Sequence, residues 1–328
     1  MVTSEVSTTA NSMGTPLDIL LDKLLEGGRK PDQATLYFLS NLDAEQAGQV
    51  RKMWSELPSG LRLELTSQLV EMAEADFTLN FGAVFRIALH DESADVRAVA
   101  VEGLWEDEDA RLVPRLAERV QGDTSAKVRA AAAKSLGRFI LLGELEQIRP
   151  RPCRLAYETL LEAYQAHDEE PEVQRRALES LAYICDETVI ASIREAYTSA
   201  QEKLRVSAVF AMGRSADNRW EEEVKQELFS INPEMRYEAA RACGELQLRE
   251  SVSMLHELTE DADAEVQQAA IWALGQIGGD KAREILEHYC HESDEALRSA
   301  AEVALEELEF LHGDLDDIFA DLPEESYW

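Results

Sequence analysis

Cysteine, proline and long apolar runs are all scarce in this chain of 328 residues. The nine prolines and the few clusters of β-branched residues favour an all-helical protein. No apolar run approaches the 18 residues that a membrane-spanning helix needs, and the first residues lack the basic and apolar regions of a signal peptide. The cysteines show no CxxC spacing, and we expect reduced thiols and a cytoplasmic protein; they are Cys153, Cys185, Cys243 and Cys290.

Basic residues are outnumbered two to one, and the imbalance bears on the class of partner. The chain has 32 Lys and Arg against 65 Asp and Glu, which gives a formal net charge of −33. Such a charge disfavours binding to nucleic-acid phosphates and to anionic membranes. It favours solubility, a monomer and a protein partner with a basic or apolar surface.

A phrase of amino acids returns every 31 residues in the second half of the chain. Its first apolar residue, called position 0 below, recurs at Val173, Leu204, Met235, Val266 and Leu297. Position 4 is alanine and position 8 is Leu, Met or Cys in these copies. Earlier copies begin at Val96 and Val128, and a divergent one begins at Leu61. A period between about 20 and 50 residues predicts a stacked array, because a single helix pair cannot bury its own apolar face.

Each phrase reads as the second helix, B, of a helical pair. Positions 0, 4, 7 and 8 share one face of a helix, and another amphipathic segment, helix A, precedes each phrase. A turn acid or hydroxyl stands five residues before most phrases, and position 1 is usually arginine, as in Arg97 and Arg236. The fixed offset predicts that these arginines bridge to turn acids of the neighbouring repeat rather than bind phosphate.

The phrase D-x-x-x-x-V-R-x-x-A-x-x-x-L-G resembles HEAT repeats of the short HEAT-like type found in phycobilisome lyases. The resemblance covers residues 58 to 306 and implies an all-α, right-handed α-solenoid of about eight helix-turn-helix repeats. We expect a disordered N-terminus at 1–15, a helical N-terminal cap at 16–57 and the solenoid at 58–306. A longer insertion near 138–165 contains the Arg-Pro-Arg-Pro sequence of 149–152. An acidic-aromatic tail or cap follows at 307–328.

No catalytic constellation is visible in the sequence. HEAT-like arrays include a hydroxylase whose iron is held by His-Glu pairs near the start of helix B, but the matching positions here hold other pairs, Tyr237-Glu238 among them. His288 and His291 lie one turn apart beside Cys290, without a second pair of ligands elsewhere. We therefore expect a non-enzymatic protein with no metal and no cofactor.

The concave face of the array carries large side chains in its later repeats. Positions 2, 6 and 9 of helix B point away from the buried face, and exposed aromatic residues and arginine on one face are typical of an interaction hot spot. The predicted partner-binding residues are Val206, Phe210, Tyr237, Arg241, Gln268, Trp272 and Val303. Packing beneath neighbouring helices, or coverage by the C-terminal tail, are the alternatives.

The last residues leave the repeat pattern and alternate acids with large apolar side chains. They predict either a docking motif or a cap folded over the last repeat. The apolar tail contacts would be Leu315, Ile318, Phe319, Leu322, Tyr327 and Trp328.

The leading functional hypothesis is a scaffold or adaptor that binds another protein in the concave groove. The alternative, implied by the resemblance, is a bilin lyase or chaperone-like subunit of the phycobilisome-lyase type. A metal enzyme built on the histidines is a third hypothesis.

Overall fold

The computed structural model describes residues 15–27, 32–291 and 294–312 of the chain. Within these ranges every regular element is a helix, either α or 3₁₀. The contacts divide the chain into two compact units, residues 1–135 and residues 136–328. The predicted disordered N-terminus, 1–15, lies outside the described residues apart from Thr15.

The first unit contains seven α-helices and the beginning of an eighth among its described residues. They are α1 Pro16–Gly27, α2 Gln33–Leu36, α3 Ala44–Trp54, α4 Ser59–Ala75, α5 Gly82–Ala88, α6 Ala94–Glu102, α7 Val113–Gly122 and α8 Ala126–Glu144. Short 3₁₀ helices at Tyr37–Leu39 and Ala110–Leu112 join some of them.

The second unit contains the end of α8 and ten further α-helices among its described residues. They are α9 Pro150–Gln165, α10 Pro171–Leu181, α11 Glu187–Tyr197, α12 Glu202–Arg214, α13 Glu221–Glu227, α14 Pro233–Glu245, α15 Val252–Leu258, α16 Ala264–Ile277, α17 Asp280–Tyr289 and α18 Glu295–His312. The 3₁₀ helices Asn218–Trp220 and Arg249–Ser251 lead into α13 and α15.

Helices A and B of the sequence phrase alternate in the second unit. Helices α10, α12, α14, α16 and α18 are the B helices, and each packs against the next. Helices α11, α13, α15 and α17 are the A helices, and each packs against the B helix that follows it. The predicted buried face is confirmed, since every alanine at position 4 is wholly buried: Ala177, Ala208, Ala239, Ala270 and Ala301. The core is thus a series of layers between successive pairs.

Arg97 and Arg236, at position 1 of their phrases, each bridge to a turn acid of the next repeat, as the offset predicts. The Arg236 guanidinium donates two hydrogen bonds of 2.7 Å to the Asp261 carboxylate of the next turn. The third nitrogen of the guanidinium donates a hydrogen bond of 2.8 Å to the backbone carbonyl of Ser230, six residues earlier. Gln267, at position 1 of the next phrase, makes the same kind of contact with its own turn. Its side-chain amide donates a hydrogen bond of 2.7 Å to the backbone carbonyl of Asp261. These side chains hold turns in place, which accounts for the recurrence of arginine at position 1 without phosphate binding.

Glycine at position 9 allows B helices to approach closely. A Cβ added to Gly213 of α12 would lie 2.8 Å from the Cα of Ala242 in α14, a backbone atom that cannot move independently. We therefore expect Gly213→Ala to lower the free energy of unfolding by about 1–3 kcal/mol, as overpacking does.

The matched control for this prediction is Gly48→Ala in α3, where an added Cβ meets nothing within 4 Å. Alanine there should stabilise the chain by about 0.5–1 kcal/mol, because it stiffens the unfolded chain and suits a helix. Chemical denaturation of both variants is the measurement. Equal effects in the two variants would contradict the packing argument.

The insertion and the C-terminus depart from the uniform repeat. Helix α8 has 19 residues where α12 has 13, so the insertion lengthens a helix pair, and Pro150 starts α9. Helix α18 runs to His312, so residues 307–312, which the sequence assigned to the tail, continue the helix. The predicted tail contacts from Leu315 to Trp328 lie outside the described residues.

Candidate functional site

The second unit has two adjoining clefts on its B helices. The larger, of about 770 Å³, lies between α14 and α16, and the smaller, of about 190 Å³, lies between α12 and α14. Both clefts share Tyr237, Glu238 and Arg241. We call the two together the aromatic groove, lined by Phe210, Arg214, Tyr237, Glu238, Arg241, Glu245, Gln268 and Trp272.

Five of the seven predicted partner-binding residues line the aromatic groove, and two do not. The five are Phe210, Tyr237, Arg241, Gln268 and Trp272. Val303 lies on α18 and is 53% exposed, but it lines neither cleft. Val206 is only 2% exposed, so its predicted place on the groove surface is corrected. Helix α12 has a B helix on either side, α10 and α14, and position 2 falls on a covered side.

Position 2 contributes to the groove surface at Tyr237 and Gln268, and beside it the surface is formed mainly by positions 3, 6 and 10 rather than by position 9. On a helix positions 3, 6 and 10 lie at about 300°, 240° and 280° from position 0, between the covered sides. Position 9 holds glycines buried against the next B helix, such as Gly213. The groove residues that sequence reasoning missed are Glu238 at position 3, and Arg214 and Glu245 at position 10. The helical wheel places these positions on one exposed arc, but it does not distinguish one repeat from another.

Two arginines lie against the aromatic rings of the groove. The guanidinium carbon of Arg241 lies 3.7 Å from the centre of the Trp272 ring, and that of Arg214 lies 5.4 Å from the Phe210 ring. Both arginines also approach the Glu245 carboxylate, at 3.6 Å and 3.3 Å. Burial raises the pKa of Glu245 above its usual value, and the two arginines oppose the rise. One carboxylate thus contacts both of the arginines that lie against the rings.

Glu238 lies among these groups without a partner of its own. None of the described residues donates it a hydrogen bond or forms an ion pair with it. Burial, together with the nearby Glu179, Glu245 and Glu234 carboxylates, raises the pKa of Glu238 to about 7 against the opposing effect of Arg241. A carboxylate so placed is only half ionised at neutral pH.

Glu179 of α10, by contrast, is satisfied by its neighbours. Its carboxylate accepts a hydrogen bond of 2.6 Å from the Ser207 hydroxyl and one of 2.8 Å from Arg176. Arg175 in turn donates to the Ser207 hydroxyl at 2.9 Å. These contacts join α10 to α12 and hold the Glu179 carboxylate in place near Glu238.

The charge of the groove is negative. Glu234, Asp263 and Glu265 line the larger cleft together with Glu238, against Arg241 alone. In the smaller cleft Arg214 and Arg241 both face Glu245. The free charge of the surface therefore complements a cationic group.

Neither a metal cluster nor a membrane span occurs in the part of the chain that the structure describes. No group of three or more His, Cys, Asp or Glu side chains there is placed to hold a metal ion, and His288, Cys290 and His291 do not form one. None of the described helices combines the length and apolar character needed to cross a bilayer.

Comparison with known proteins places the chain by family and fold. A sequence profile for the family described as HEAT repeats matches residues 83–149 and 221–306. Yeast importin-β (Kap95p) is 13% identical with a TM-score of 0.53, covering 89% of this chain and 46% of its own. Kap95 in complex with Nup1 is 13% identical with a TM-score of 0.50, covering 94% and 47%. Human deoxyhypusine hydroxylase is 20% identical with a TM-score of 0.36, covering 90% and 96%.

These comparisons confirm the predicted architecture. The chain contains HEAT repeats at residues 83–149 and 221–306, and its fold is an all-α solenoid. It spans a little under half the length of importin-β, and at 13% identity that likeness shows the fold alone. No curated protein matches the chain.

Proposed function

We propose that this chain is a non-enzymatic scaffold that binds a segment of another protein in the aromatic groove. The observation that carries the proposal is the Arg241–Trp272 pair, 3.7 Å apart, on the wall of an open cleft of about 770 Å³. Tryptophan, tyrosine and arginine are the residues most enriched in binding hot spots. Glu245 orients Arg241, so the ring and the guanidinium are held in place before a partner arrives.

Structural likeness and cysteine chemistry add support to this proposal. Kap95, whose fold is similar to that of this chain, forms a complex with Nup1. All four cysteines of the chain are free thiols, which suits a reducing compartment such as the cytoplasm. The net charge of −33 disfavours close self-association, so we propose a monomer that binds a partner with a basic or apolar surface.

Replacement of Trp272 by alanine is expected to weaken partner binding by a factor of roughly 30 or more, the loss associated with a hot-spot residue. The full chain is used to capture partners from the native extract, and each partner is then purified and its affinity measured. The control is Trp105→Ala, which removes a tryptophan that is 44% exposed and lies outside the groove.

Thermal melting of both variants separates loss of binding from loss of folding. Trp272→Ala and Trp105→Ala should both stay folded, and only the first should lose its partner. Equal affinity of the Trp272→Ala and wild-type chains for every purified partner would overturn the proposed function.

A further inference from the structure

Glu238 occupies the point at which the two clefts of the aromatic groove meet. Its side chain lines both the cleft between α12 and α14 and the cleft between α14 and α16. A partner segment that follows the groove across these three helices must therefore pass it. The nearest arginine, Arg241, is engaged with Trp272 and Glu245.

A half-buried carboxylate without a hydrogen-bond donor has a free-energy cost that a ligand can relieve. Glu238 has lost part of its hydration, and no described side chain replaces the lost water. The other acids of the larger cleft differ. Glu234 and Glu265 are exposed to solvent, and the Asp263 carboxylate accepts hydrogen bonds from the backbone N–H groups of Glu265 and Val266 at the start of α16. A cationic group would gain most at Glu238.

We propose, on the basis of the function proposed above, that Glu238 receives the ammonium or guanidinium group of a lysine or arginine in an extended segment of the partner. That segment lies across α12, α14 and α16, with the aliphatic part of the basic side chain between the walls that carry Tyr237 and Trp272. The charge of the groove favours this occupant over the chain's own C-terminus. Residues 313–328 contain no lysine or arginine and are rich in Asp and Glu.

The surroundings of Glu238 set the sign of a pH dependence. Glu234, Arg241 and Glu245 face it from α14, and Glu179 from α10. Arg214 of α12, with Asp263 and Glu265 of α16, completes the charged lining of the groove. Because burial raises its pKa to about 7, the carboxylate is mostly protonated at pH 6 and mostly ionised at pH 8. Only the ionised form attracts a cation, so affinity for a basic segment rises with pH over this range by about tenfold.

The test uses pools of fluorescent octapeptides in which one central position is fixed as lysine, arginine, norleucine or glutamate. Binding of the full chain to each pool is measured at pH 8 and at pH 6. Norleucine keeps the aliphatic chain of lysine without the charge. At pH 8 the lysine or arginine pool should bind at least tenfold more tightly than the norleucine pool, and at pH 6 most of this preference should disappear.

Glu238→Gln should abolish the preference for the basic pools over the norleucine pool. Glu265→Gln, which neutralises an exposed carboxylate of the same cleft, should keep the preference. A preference that survives in Glu238→Gln would overturn the inference. A glutamate pool that binds best would also overturn it, and would assign the groove to acidic segments such as residues 313–328.

Failure of this inference is distinguishable from failure of the proposed function. If the pools bind the wild-type chain but not Trp272→Ala, and lysine and norleucine bind equally, the groove binds partners and only the role of Glu238 is wrong. If no pool binds the wild-type chain more tightly than Trp272→Ala, both proposals are wrong.

Discussion

Replacement of Asp123 by alanine is expected to lower the free energy of unfolding by about 3–5 kcal/mol, the usual effect of removing one partner of a buried ion pair. The Asp123 side chain is 1% exposed and that of Arg97 is 9% exposed. Arg97 donates hydrogen bonds of 2.8 Å and 2.7 Å to the two carboxylate oxygens. The remaining guanidinium nitrogen of Arg97 donates a hydrogen bond of 2.8 Å to the backbone carbonyl of Asp91. Without Asp123 the guanidinium would stay buried with its charge uncompensated.

The control for Asp123→Ala is Arg111→Ala, which removes an arginine that is 90% exposed from its pair with Asp109. An exposed pair contributes about 0–1 kcal/mol, so this change should be small. The double variant Arg97→Met/Asp123→Asn removes both charges of the buried pair, and the arginine that then lacks Asp123 is the more exposed Arg119, so the double variant should recover part of the loss. Urea denaturation gives all three values. A loss in Asp123→Ala no greater than that in Arg111→Ala would contradict the prediction.

The effect of Asp123→Ala should also depend on pH. Burial by itself raises the pKa of Asp123, but the hydrogen bonds from Arg97, Ser125 and Arg119 outweigh it, and the pKa lies below its usual value. A carboxyl group with a lowered pKa contributes stability above its unfolded pKa and loses it as pH falls through the folded pKa. The difference between wild type and variant should therefore be complete at neutral pH and shrink in acid.

The repeat positions were predictable from the sequence because each layer of the array repeats one physical problem. An alanine at position 4, such as Ala239, recurs where two B helices meet closely, and an arginine at position 1, such as Arg236, recurs where a turn is joined to the next. Even the divergent copy follows this logic. Arg62, at position 1 of the phrase that begins at Leu61, lies 3.2 Å from the Asp91 carboxylate, which was not predicted.

The candidate site was only partly predictable, since its surface depends on the angle between neighbouring B helices. Position 6 was correctly placed, with Phe210, Arg241 and Trp272 on the groove. Position 2 is buried at Val206 yet lines the groove at Tyr237, and the sequence phrase does not distinguish these two repeats. The sequence drew attention to Glu238 only because Tyr237-Glu238 stands where the hydroxylase has a His-Glu pair. An unpaired carboxylate is recognised from the residues around it in the fold and not from its spacing in the sequence.

Glu238→Gln is expected to raise the free energy of unfolding at pH 8 by about 3 kcal/mol, which is the equivalent of the rise in pKa from 4.5 to about 7. The sign follows from proton linkage. A carboxyl group whose pKa is raised by folding binds its proton more tightly in the native state, so its contribution to stability is complete below the unfolded pKa of 4.5 and is lost as pH rises through about 7. Glutamine imitates the protonated form at every pH.

The gain in the free energy of unfolding from Glu238→Gln should therefore fall below about 1 kcal/mol at pH 5, where native Glu238 is protonated. Glu265→Gln serves as the control, since its exposed carboxylate should change stability by less than about 0.5 kcal/mol at either pH. Urea denaturation at pH 5 and pH 8 measures both variants. An increment that is equal at the two pH values would mean that Glu238 is solvated in the native chain. If the increment is larger at pH 8, as expected, the Glu238 carboxylate lowers the stability of the free chain at neutral pH. A basic partner segment that supplies the missing cation would restore that stability.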